Sequence, residues 1–318
     1  MCFPAAEAHQ PQEVLIMRVF VTGASGWIGS AVIAELLAHG HEVLGLARSD
    51  TAAEKVASSG AEVLRGDLQD IEVLRTGAEG VDGVVHLAFR HDVAWSGGFE
   101  EAASSDRAAI ETFGEVLAGT GRPLAIASGV AGVKPGGIAT EQDHPSDQVS
   151  PRTASERAAL ALADRGVRSI SVRFAPTVHG SGDHGFIAQI IASDRDHGTA
   201  GYVGDGANRW PAVHRSDAAR LVRLAIERAP SGSVLHAVAE EGVPMRDIAT
   251  AISRRFQLPA GPISPEEARA RLGFIGRFVA LDMPASSTIT RELLDWQPAG
   301  PTLIEDIQTG AYSNGANS

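Results

Sequence analysis

The stretch of sequence that decides the fold reads Thr22-Gly23-Ala24-Ser25-Gly26-Trp27-Ile28-Gly29. It follows a short apolar run that begins at Arg18, and a helix-period run begins within it. Glycines at this spacing allow a tight turn and let backbone N–H groups approach a pyrophosphate, whose charge the helix N-terminus stabilises. The segment predicts a dinucleotide site rather than a merely structural glycine turn. The predicted contacts are Gly23, Ser25, Gly26, Trp27, Ile28 and Gly29.

Outward from this loop, short apolar runs alternate with helical segments, which is typical of a parallel sheet covered by helices on both faces. Strands are predicted near residues 18–22, 42–46, 62–64, 83–87, 123–127 and 169–174. Helices are predicted near residues 27–38, 51–58, 71–77, 99–118 and 153–164. This alternation predicts an α/β fold, a Rossmann-type doubly wound parallel sheet, with a smaller interleaved C-terminal substrate lobe.

The same pattern divides the chain into regions. Residues 1–16 are predicted to be a disordered extension and residues 313–318 a disordered tail. The dinucleotide-binding domain is predicted over residues 17–178, with residues 209–240 returning to it, and the substrate lobe over residues 179–208 and 241–312. A site is expected between the lobes, outside the carboxyl ends of the strands.

Composition and charge narrow the class of protein. The 318 residues carry 39 acidic against 27 basic side chains, and a net charge of −12 disfavours a nucleic-acid partner. The single cysteine, Cys2, excludes an internal disulfide framework and a cysteine-rich metal site. No apolar run reaches the ~18 residues that a membrane span needs. We therefore expect a soluble cytoplasmic protein with no membrane partner and no metal.

The residues after the second predicted strand indicate which dinucleotide binds. An acidic residue there would hold both ribose hydroxyls, whereas Arg48 and Ser49 offer a cation and a hydroxyl to a 2′-phosphate. NADP(H) is therefore favoured over NAD(H). The alternative is that Arg48 is solvated and Asp50 holds the ribose. Asp67, after the third strand, is placed either to accept from the adenine amino group or to cap the next helix.

At this point the chain resembles a family, the short-chain dehydrogenase/reductases of the extended type, also described as NAD(P)-dependent epimerase/dehydratase-like. The matching segments are the glycine loop, Gly66-Asp67-Leu68, Val84-Val85-His86-Leu87-Ala88, Arg173-Phe174-Ala175-Pro176-Thr177-Val178-His179-Gly180, Gly204-Asp205-Gly206, Val213-His214-Arg215-Ser216-Asp217-Ala218-Ala219 and Leu294-Asp295-Trp296-Gln297-Pro298. The resemblance adds Leu68, Leu87, Ala88 and Pro176 to the expected cofactor contacts.

The chain departs from that family where the chemistry is normally carried. Family members use a tyrosine with a lysine four residues later, but the residues four after Tyr202 and Tyr312 are not lysine. The aligned segment places Thr153 at the tyrosine position and Arg157 at the lysine position. A threonine hydroxyl is a far weaker acid than a phenol, so it cannot simply replace the proton donor. The resemblance therefore indicates an atypical subgroup.

Other residues are expected to supply the catalytic groups. Ser128 matches the family's catalytic serine, or that serine is lost to Gly129, depending on a one-residue choice of alignment. Arg157 is expected to contact the nicotinamide ribose and supply positive charge, the alternative being a surface ion pair. Because histidine titrates near neutral pH, His179 is a candidate proton donor, with a structural hydrogen-bonded role as the alternative. In the asparagine position of the family stands Asp106.

Candidate substrate contacts are His91, Trp95, His184, Arg209 and Trp210. The two tryptophans would line an apolar pocket, or simply fill a core. In sugar-nucleotide members of the family an arginine matching Arg209 grips substrate phosphates, but no other basic residue accompanies it here. The pattern favours a small or flat, largely uncharged substrate.

The leading hypothesis is an NADP-dependent oxidoreductase that reduces a C=O or C=N group of a small molecule. The loss of the tyrosine and lysine leaves a second hypothesis, a non-catalytic NADP(H)-binding regulator or redox sensor. An epimerase or dehydratase is a third. Because family members dimerise through two long helices, a homodimer is expected through residues 99–118 and 153–164.

Overall fold

The computed structural model describes residues 16–145 and 151–312. Apart from Ile16, the two terminal segments predicted to be disordered lie outside the described residues. Within the described ranges the strands are β1 Arg18–Thr22, β2 Glu42–Ala47, β3 Glu62–Arg65, β4 Gly83–His86, β5 Pro123–Gly129, β6 Arg168–Phe174, β7 Thr177–His179, β8 Ala200–Val203, β9 Arg209–His214, β10 Ser233–Ala237, β11 Glu240–Pro244 and β12 Ala260–Ile263.

The helices alternate with these strands and then cluster towards the end of the chain. They are α1 Trp27–Ala38, α2 Asp50–Ser58, α3 Ile71–Glu79, α4 His91–Trp95, α5 Phe99–Leu117, α6 Pro151–Ala161, α7 Phe186–His197, α8 Arg215–Arg228, α9 Met245–Phe256, α10 Pro265–Leu272, α11 Thr288–Leu294 and α12 Leu303–Thr309. Short 3-10 turns cover Leu162–Arg165 and Ile275–Arg277. None of these described helices is both long and apolar enough to cross a membrane.

The main sheet is parallel, with strand order β10-β6-β5-β4-β1-β2-β3. From β1 the chain builds outward to β3 on one side and to β10 on the other, so the order reverses between β1 and β4. This arrangement confirms the predicted doubly wound α/β fold. Ligands bind outside the carboxyl ends of the strands at such a reversal.

Alternation along β1 explains how helices cover both faces of the sheet. Val19 and Val21 face the core shared with α1 and α8, whereas Phe20 faces the core shared with α3 and α5. Successive side chains of a strand point to opposite faces, and both faces of a parallel sheet are buried. The apolar run that reads as a strand in the sequence is therefore continuous rather than alternating.

The second lobe has a core of its own. Trp210 of β9 packs there with Ile190 of α7, Ile248 of α9 and Leu303 of α12. Of the segment predicted to return to the first domain, α8 packs on α1 and β10 joins the main sheet, while β9 pairs with β7 and β11. The lobes are thus interleaved in sequence: the chain leaves the main sheet at β7, returns after β9 through α8 and β10, and leaves again at β11.

Candidate functional site

A cleft of about 620 Å³ lies between the two lobes at the carboxyl ends of β1, β4, β5 and β6. Residues from the first domain form its nucleotide-loop end, and residues from both lobes form its other end. The predicted site residues that line it are Gly23, Ser25, Gly26, Trp27, Ile28, Gly29, Arg48, Asp67, Leu68, Leu87, Ala88, His91, Trp95, Ser128, Pro176 and His184. The remaining predicted site residues lie outside the lining and are described below.

The glycine loop requires glycine for steric reasons. Gly23 has φ +67°, and a Cβ there would lie 2.8 Å from the backbone N of Ala88. A Cβ on Gly29 would lie 2.1 Å from the carbonyl oxygen of Gly23. These contacts allow the first turn of α1 to pack directly against the loop, with its N–H groups at the cleft. The glycines therefore keep this turn compact at the place where the sequence predicts pyrophosphate contacts, and those contacts stay a prediction.

A buried polar chain holds this loop from behind. Ala88 N donates to Thr22 Oγ1 at 3.2 Å, and Thr22 Oγ1 hydrogen-bonds His86 Nδ1 at 2.7 Å. His86 Nε2 in turn lies 3.2 Å from Asp106 Oδ1. Burial alone would raise the pKa of Asp106, but the hydrogen bond and charge of His86, with the charge of Arg152, hold that pKa below its usual value. Asp106 therefore acts as an anchor for β4.

Trp27 links the loop to the second half of the chain. Its indole N–H donates to the carbonyl of Val178 at 2.8 Å, and its ring lies 5.7 Å from that of His184. The Arg215 guanidinium stacks on the Trp27 ring at 4.1 Å and donates to its carbonyl at 2.7 Å. These contacts tie the glycine loop to β7, to the segment before α7 and to the start of α8.

The residues after β2 and β3 have distinct partners. Arg48 is 63% exposed at the cleft, and its Nη1 lies 3.3 Å from Asp92 Oδ2. Ser49 does not line the cleft, because its hydroxyl caps α2 by accepting from Ala52 N. Asp50, the alternative ribose ligand, is paired with Arg65 at 2.7 Å.

Of the two roles predicted for Asp67, the helix cap belongs to a different residue. Asp70 caps α3, accepting from Val73 N. Asp67 lines the cleft, and its Oδ1 accepts from Gln69 N at 3.0 Å. The contact of Asp67 with the adenine amino group stays a prediction.

At the start of α6 the structure places Arg152 in the cleft. Its guanidinium lies 4.3 Å over the ring of Phe89, and Nη2 donates to the carbonyl of Ala127 at 2.7 Å. The surrounding protein desolvates this group and lowers the pKa of Arg152, yet a guanidinium remains charged at neutral pH. A cation thus stands beside Ser128 of β5.

Thr153 and Arg157, aligned with the family's tyrosine and lysine, are not brought to the cleft. Thr153 is buried and Arg157 is exposed, and neither lines the cavity. In a helix, residues five apart differ in direction by about 140°, so Arg157 and Arg152 face different surroundings. The residue one turn after Arg152 is Glu156, which accepts from Arg173 Nε at 2.8 Å in a buried pair.

His179 is enclosed beneath the cleft rather than exposed to it. The residue is fully buried, its Nδ1 donates to Asp306 Oδ2 at 2.6 Å, and burial lowers the pKa of His179. Asp183 does line the cleft, and it accepts from the Tyr312 hydroxyl at 2.9 Å. Burial raises the pKa of Asp183. Within the described residues, no group of three or more His, Cys, Asp or Glu could hold a metal ion.

Two of the predicted substrate contacts are engaged elsewhere. Arg209 forms a bidentate pair with Asp282, with Nε–Oδ1 at 3.0 Å and Nη2–Oδ2 at 2.8 Å. Trp210 is fully buried in the core of the second lobe. Neither residue lines the cleft. The sequence leaves Trp210 as either a pocket wall or a core residue, and in the structure it is a core residue.

Sequence reasoning missed several residues that line the cleft. Phe89 directly follows the predicted Leu87-Ala88 contacts, so its position after a strand was a usable signal. Arg152 directly precedes Thr153, the residue aligned with the family's tyrosine. Because neighbouring residues of a helix point about 100° apart, helical phase was a usable signal for telling these two positions apart. Phe274 and Phe278 come from the region of a 3-10 turn far along the chain, and no sequence pattern points to them.

Comparison with known proteins agrees with this architecture. The sequence profile described as "NAD dependent epimerase/dehydratase family" matches residues 19–237. An uncharacterized protein of Schizosaccharomyces pombe is 43% identical over 297 residues, which is 93% of this chain and 100% of that protein. A 4-hydroxy-2-methyl-3-oxo-4-farnesyl-3,4-dihydroquinoline-1-oxide ketoreductase of Stigmatella aurantiaca is 27% identical, covering 80% of this chain and 78% of its own.

A solved structure is similar over the same extent. MoeE5 in complex with UDP-glucose and NAD is 25% identical and has a TM-score of 0.73, with 92% of this chain and 97% of that chain covered. The match of the family profile spans the glycine loop, the cleft-lining strand ends and β10. The chain therefore belongs to the NAD-dependent epimerase/dehydratase family.

Proposed function

We propose that the protein is an NADP(H)-dependent reductase that transfers hydride to a C=O or C=N group of a small molecule. The observation that carries this proposal is that one cleft holds both the glycine loop and, at its other end, the hydroxyl of Ser128 and the cation of Arg152. A nucleotide-binding loop and hydrogen-bond donors to a reacting oxygen are the two parts that such a reduction needs.

The preference for the phosphorylated dinucleotide rests on Arg48. Its guanidinium is exposed at the cleft, where a 2′-phosphate would be expected to meet a cation. The nearby acidic residues are engaged, since Asp50 pairs with Arg65 and Asp92 with Arg48 itself. Ser49 caps α2 and lies outside the cleft lining, so the preference rests on Arg48.

The chemistry that the chain supplies is electrostatic. A bound NADPH would supply the hydride and become NADP⁺, and the alkoxide or amide anion formed on the substrate would take its proton from solvent water in the open cleft. Ser128 and Arg152 would donate to the substrate oxygen as negative charge develops on it, and Arg152 would do so from a desolvated position, where a cation acts more strongly than in water. In this proposal Arg152 takes the stabilising role that the alignment assigned to Arg157, and His179 takes none in proton transfer.

The test combines binding and turnover. NADPH and NADH are titrated by fluorescence into the purified chain and into Arg48→Ala, with Arg75→Ala, whose side chain pairs with Glu115, as the matched control. We expect NADPH to bind more tightly than NADH, and Arg48→Ala to weaken NADPH about tenfold while leaving NADH unchanged. Equal affinities in the wild-type chain would overturn the cofactor preference.

Turnover separates a reductase from a sensor. NADPH oxidation is followed with a panel of ketones, aldehydes and imines. Consumption of NADPH with any of them supports the reductase, whereas tight NADPH binding without turnover would favour the non-catalytic regulator that the missing tyrosine and lysine also allow. A homodimer through α5 and α6 in the cytoplasm is part of the same proposal, and a monomer mass by light scattering would remove it.

A further inference from the structure

A continuous series of aromatic rings crosses the cleft from one lobe to the other. In the first domain, the ring of His91 lies 5.0 Å from Phe89 and 5.2 Å from Trp95. In the second lobe, Phe274 and Phe278 are 5.1 Å apart. Trp95 and Phe274 connect the two groups at 6.4 Å, and all five rings line the cleft. We call these five residues the aromatic wall.

The second-lobe side of this wall does not suit a phosphorylated substrate. The cations that line the cleft near the wall, Arg90 and Arg152, belong to the first domain, where Arg90 pairs with Glu101 at 2.7 Å and Arg152 lies over Phe89. Beyond residue 185, the described residues that line the cleft are all apolar, and they are Phe186, Ile187, Phe274 and Phe278. Arg209, the residue expected to grip phosphates, is held by Asp282 outside the cleft. A diphosphate placed against this surface would lose its hydration without gaining a cation in the second lobe.

The wall itself is uncharged and partly open. The ring of His91 is open to the cleft, yet desolvation by the surrounding protein and the charge of Arg152 lower the pKa of His91 to about 4. His91 therefore presents a neutral imidazole at neutral pH. Trp95 is 48% exposed at the mouth of the cleft, where a large ring face stands ready to stack on a ligand.

We propose that this half of the cleft takes a planar aromatic carbonyl compound without phosphate groups, stacked against the aromatic wall, rather than a sugar nucleotide. The inference rests on the proposed reductase and names the substrate class of the same site. The ligand carbonyl would point towards Ser128 and Arg152, which line the same cleft, and the Arg152 guanidinium lies 4.3 Å over Phe89 of the wall. Offset stacking and edge-to-face contacts with rings from both lobes would orient the ligand plane.

The experiment measures binding apart from turnover. Full-length protein saturated with NADP⁺ is titrated by calorimetry with 2-acetylnaphthalene and, separately, with UDP-glucose. We expect the naphthyl ketone to bind and UDP-glucose to bind at least about tenfold more weakly. Trp95→Ala should weaken the naphthyl ketone about tenfold, and Leu281→Ala, an exposed apolar side chain of the same lobe as Phe274 outside the cleft, should leave it unchanged.

The outcomes separate this inference from the function on which it rests. UDP-glucose binding as tightly as the naphthyl ketone, or equal effects of Trp95→Ala and Leu281→Ala, would overturn the substrate class. NADPH oxidation with non-aromatic carbonyls but no binding of the naphthyl ketone would overturn the class and leave the reductase standing. Binding of the naphthyl ketone to the aromatic wall without hydride transfer would overturn the reductase and leave the ligand class standing. Retained NADPH binding in Trp95→Ala shows that the variant is folded.

Discussion

The two ends of the cleft are built in different ways. The nucleotide-loop end consists largely of backbone from consecutive residues between Thr22 and Gly29, held by hydrogen bonds to neighbouring strand ends. The substrate end consists of side chains, and Trp95 meets Phe274 although about 180 residues separate them in sequence. The comparison teaches that a ligand site made of local backbone can be read from a motif, whereas one made of packed side chains cannot.

The lobes also treat their buried charges differently. In the first domain Glu156 is paired with Arg173 and Asp106 with His86. In the second lobe burial raises the pKa of Asp194 to about 7, and its Oδ2 has no hydrogen-bond partner among the described residues. Asp194 therefore gives the second lobe a contribution to stability that depends on pH.

The largest expected effect breaks the backbone-made end. In Gly29→Ala the added Cβ meets the Gly23 carbonyl oxygen at 2.1 Å, so the first turn of α1 must move away from the loop. Loss of two charge-assisted hydrogen bonds to a pyrophosphate lowers NADPH affinity about a thousandfold, as measured by fluorescence titration. Gly261→Ala is the control, because a Cβ there meets nothing within 4 Å. NADPH binding of wild-type strength in Gly29→Ala would show that the loop is not the nucleotide site.

The next effect sharpens the contrast in buried charge. The pKa of Asp194 is about 7 in the folded chain against a usual 3.8, so the folded state keeps a proton that the unfolded state releases between those values. Stability therefore falls as pH rises through this window, by about 4 kcal/mol. Asp194→Asn removes the loss, so its free energy of unfolding at pH 8 exceeds that of wild type, while at pH 4 the two converge.

Denaturant unfolding at both pH values checks this prediction. Asp196→Asn, an exposed neighbour on α7, serves as the control and should follow the wild-type curve. If the free energy of unfolding of Asp194→Asn fell with rising pH as much as that of wild type, another group would carry the pH dependence.

The third prediction compares the two arginines of α6, Arg152 and Arg157. Arg152→Met keeps an apolar stem over Phe89 but removes the charge, so kcat for a carbonyl substrate falls about a hundredfold while NADPH affinity changes little. Arg157→Met, at an exposed position outside the cleft, leaves kcat within about twofold. Steady-state kinetics with both variants decides which of the two arginines contributes to catalysis. The reverse ranking would restore the aligned arginine as the catalytic one.

The smallest effect tests whether the two ends are independent. Asp92 lies in the first turn of α4, which also carries Trp95 of the aromatic wall, and it pairs with Arg48 at the nucleotide end. Asp92→Asn removes the charge that competes with a 2′-phosphate for Arg48. NADPH affinity therefore rises about threefold, and NADH affinity stays constant. Titrations at low salt measure the difference. A fall in NADPH affinity would show instead that Asp92 holds Arg48 in place for the phosphate.

Much of the fold could be predicted, and less of the site. The predicted strands and their alternation with helices are confirmed, because β-branched and apolar runs between glycine-rich turns encode strands locally. The alignment points to Thr153 and Arg157, whereas Arg152, one residue before Thr153, is the one that lines the cleft. In a helix one residue turns a side chain by about 100°, so adjacent positions face different surroundings.

Residue type alone likewise did not reveal whether a side chain lies in a core, in an ion pair or at the cleft. Trp210 and Trp95 are both tryptophans beside predicted cleft segments, yet one fills the second core and the other stands at the mouth of the cleft. Arg209 carries the right charge for a phosphate, but Asp282 lies 73 residues later and neutralises it. Such partners lie too far along the chain for a local pattern to include them.

The sequence by itself determined the strand–loop–helix unit around Gly23, the doubly wound sheet and the absence of the tyrosine and lysine, because each depends on residues close together in the chain. Only the tertiary structure decided which arginine faces the cleft, that His179 is enclosed beside Asp306, and that five rings from two lobes form one wall. The physical reason is that burial, pairing and ring stacking depend on distance in space, which the packing of the two lobes sets.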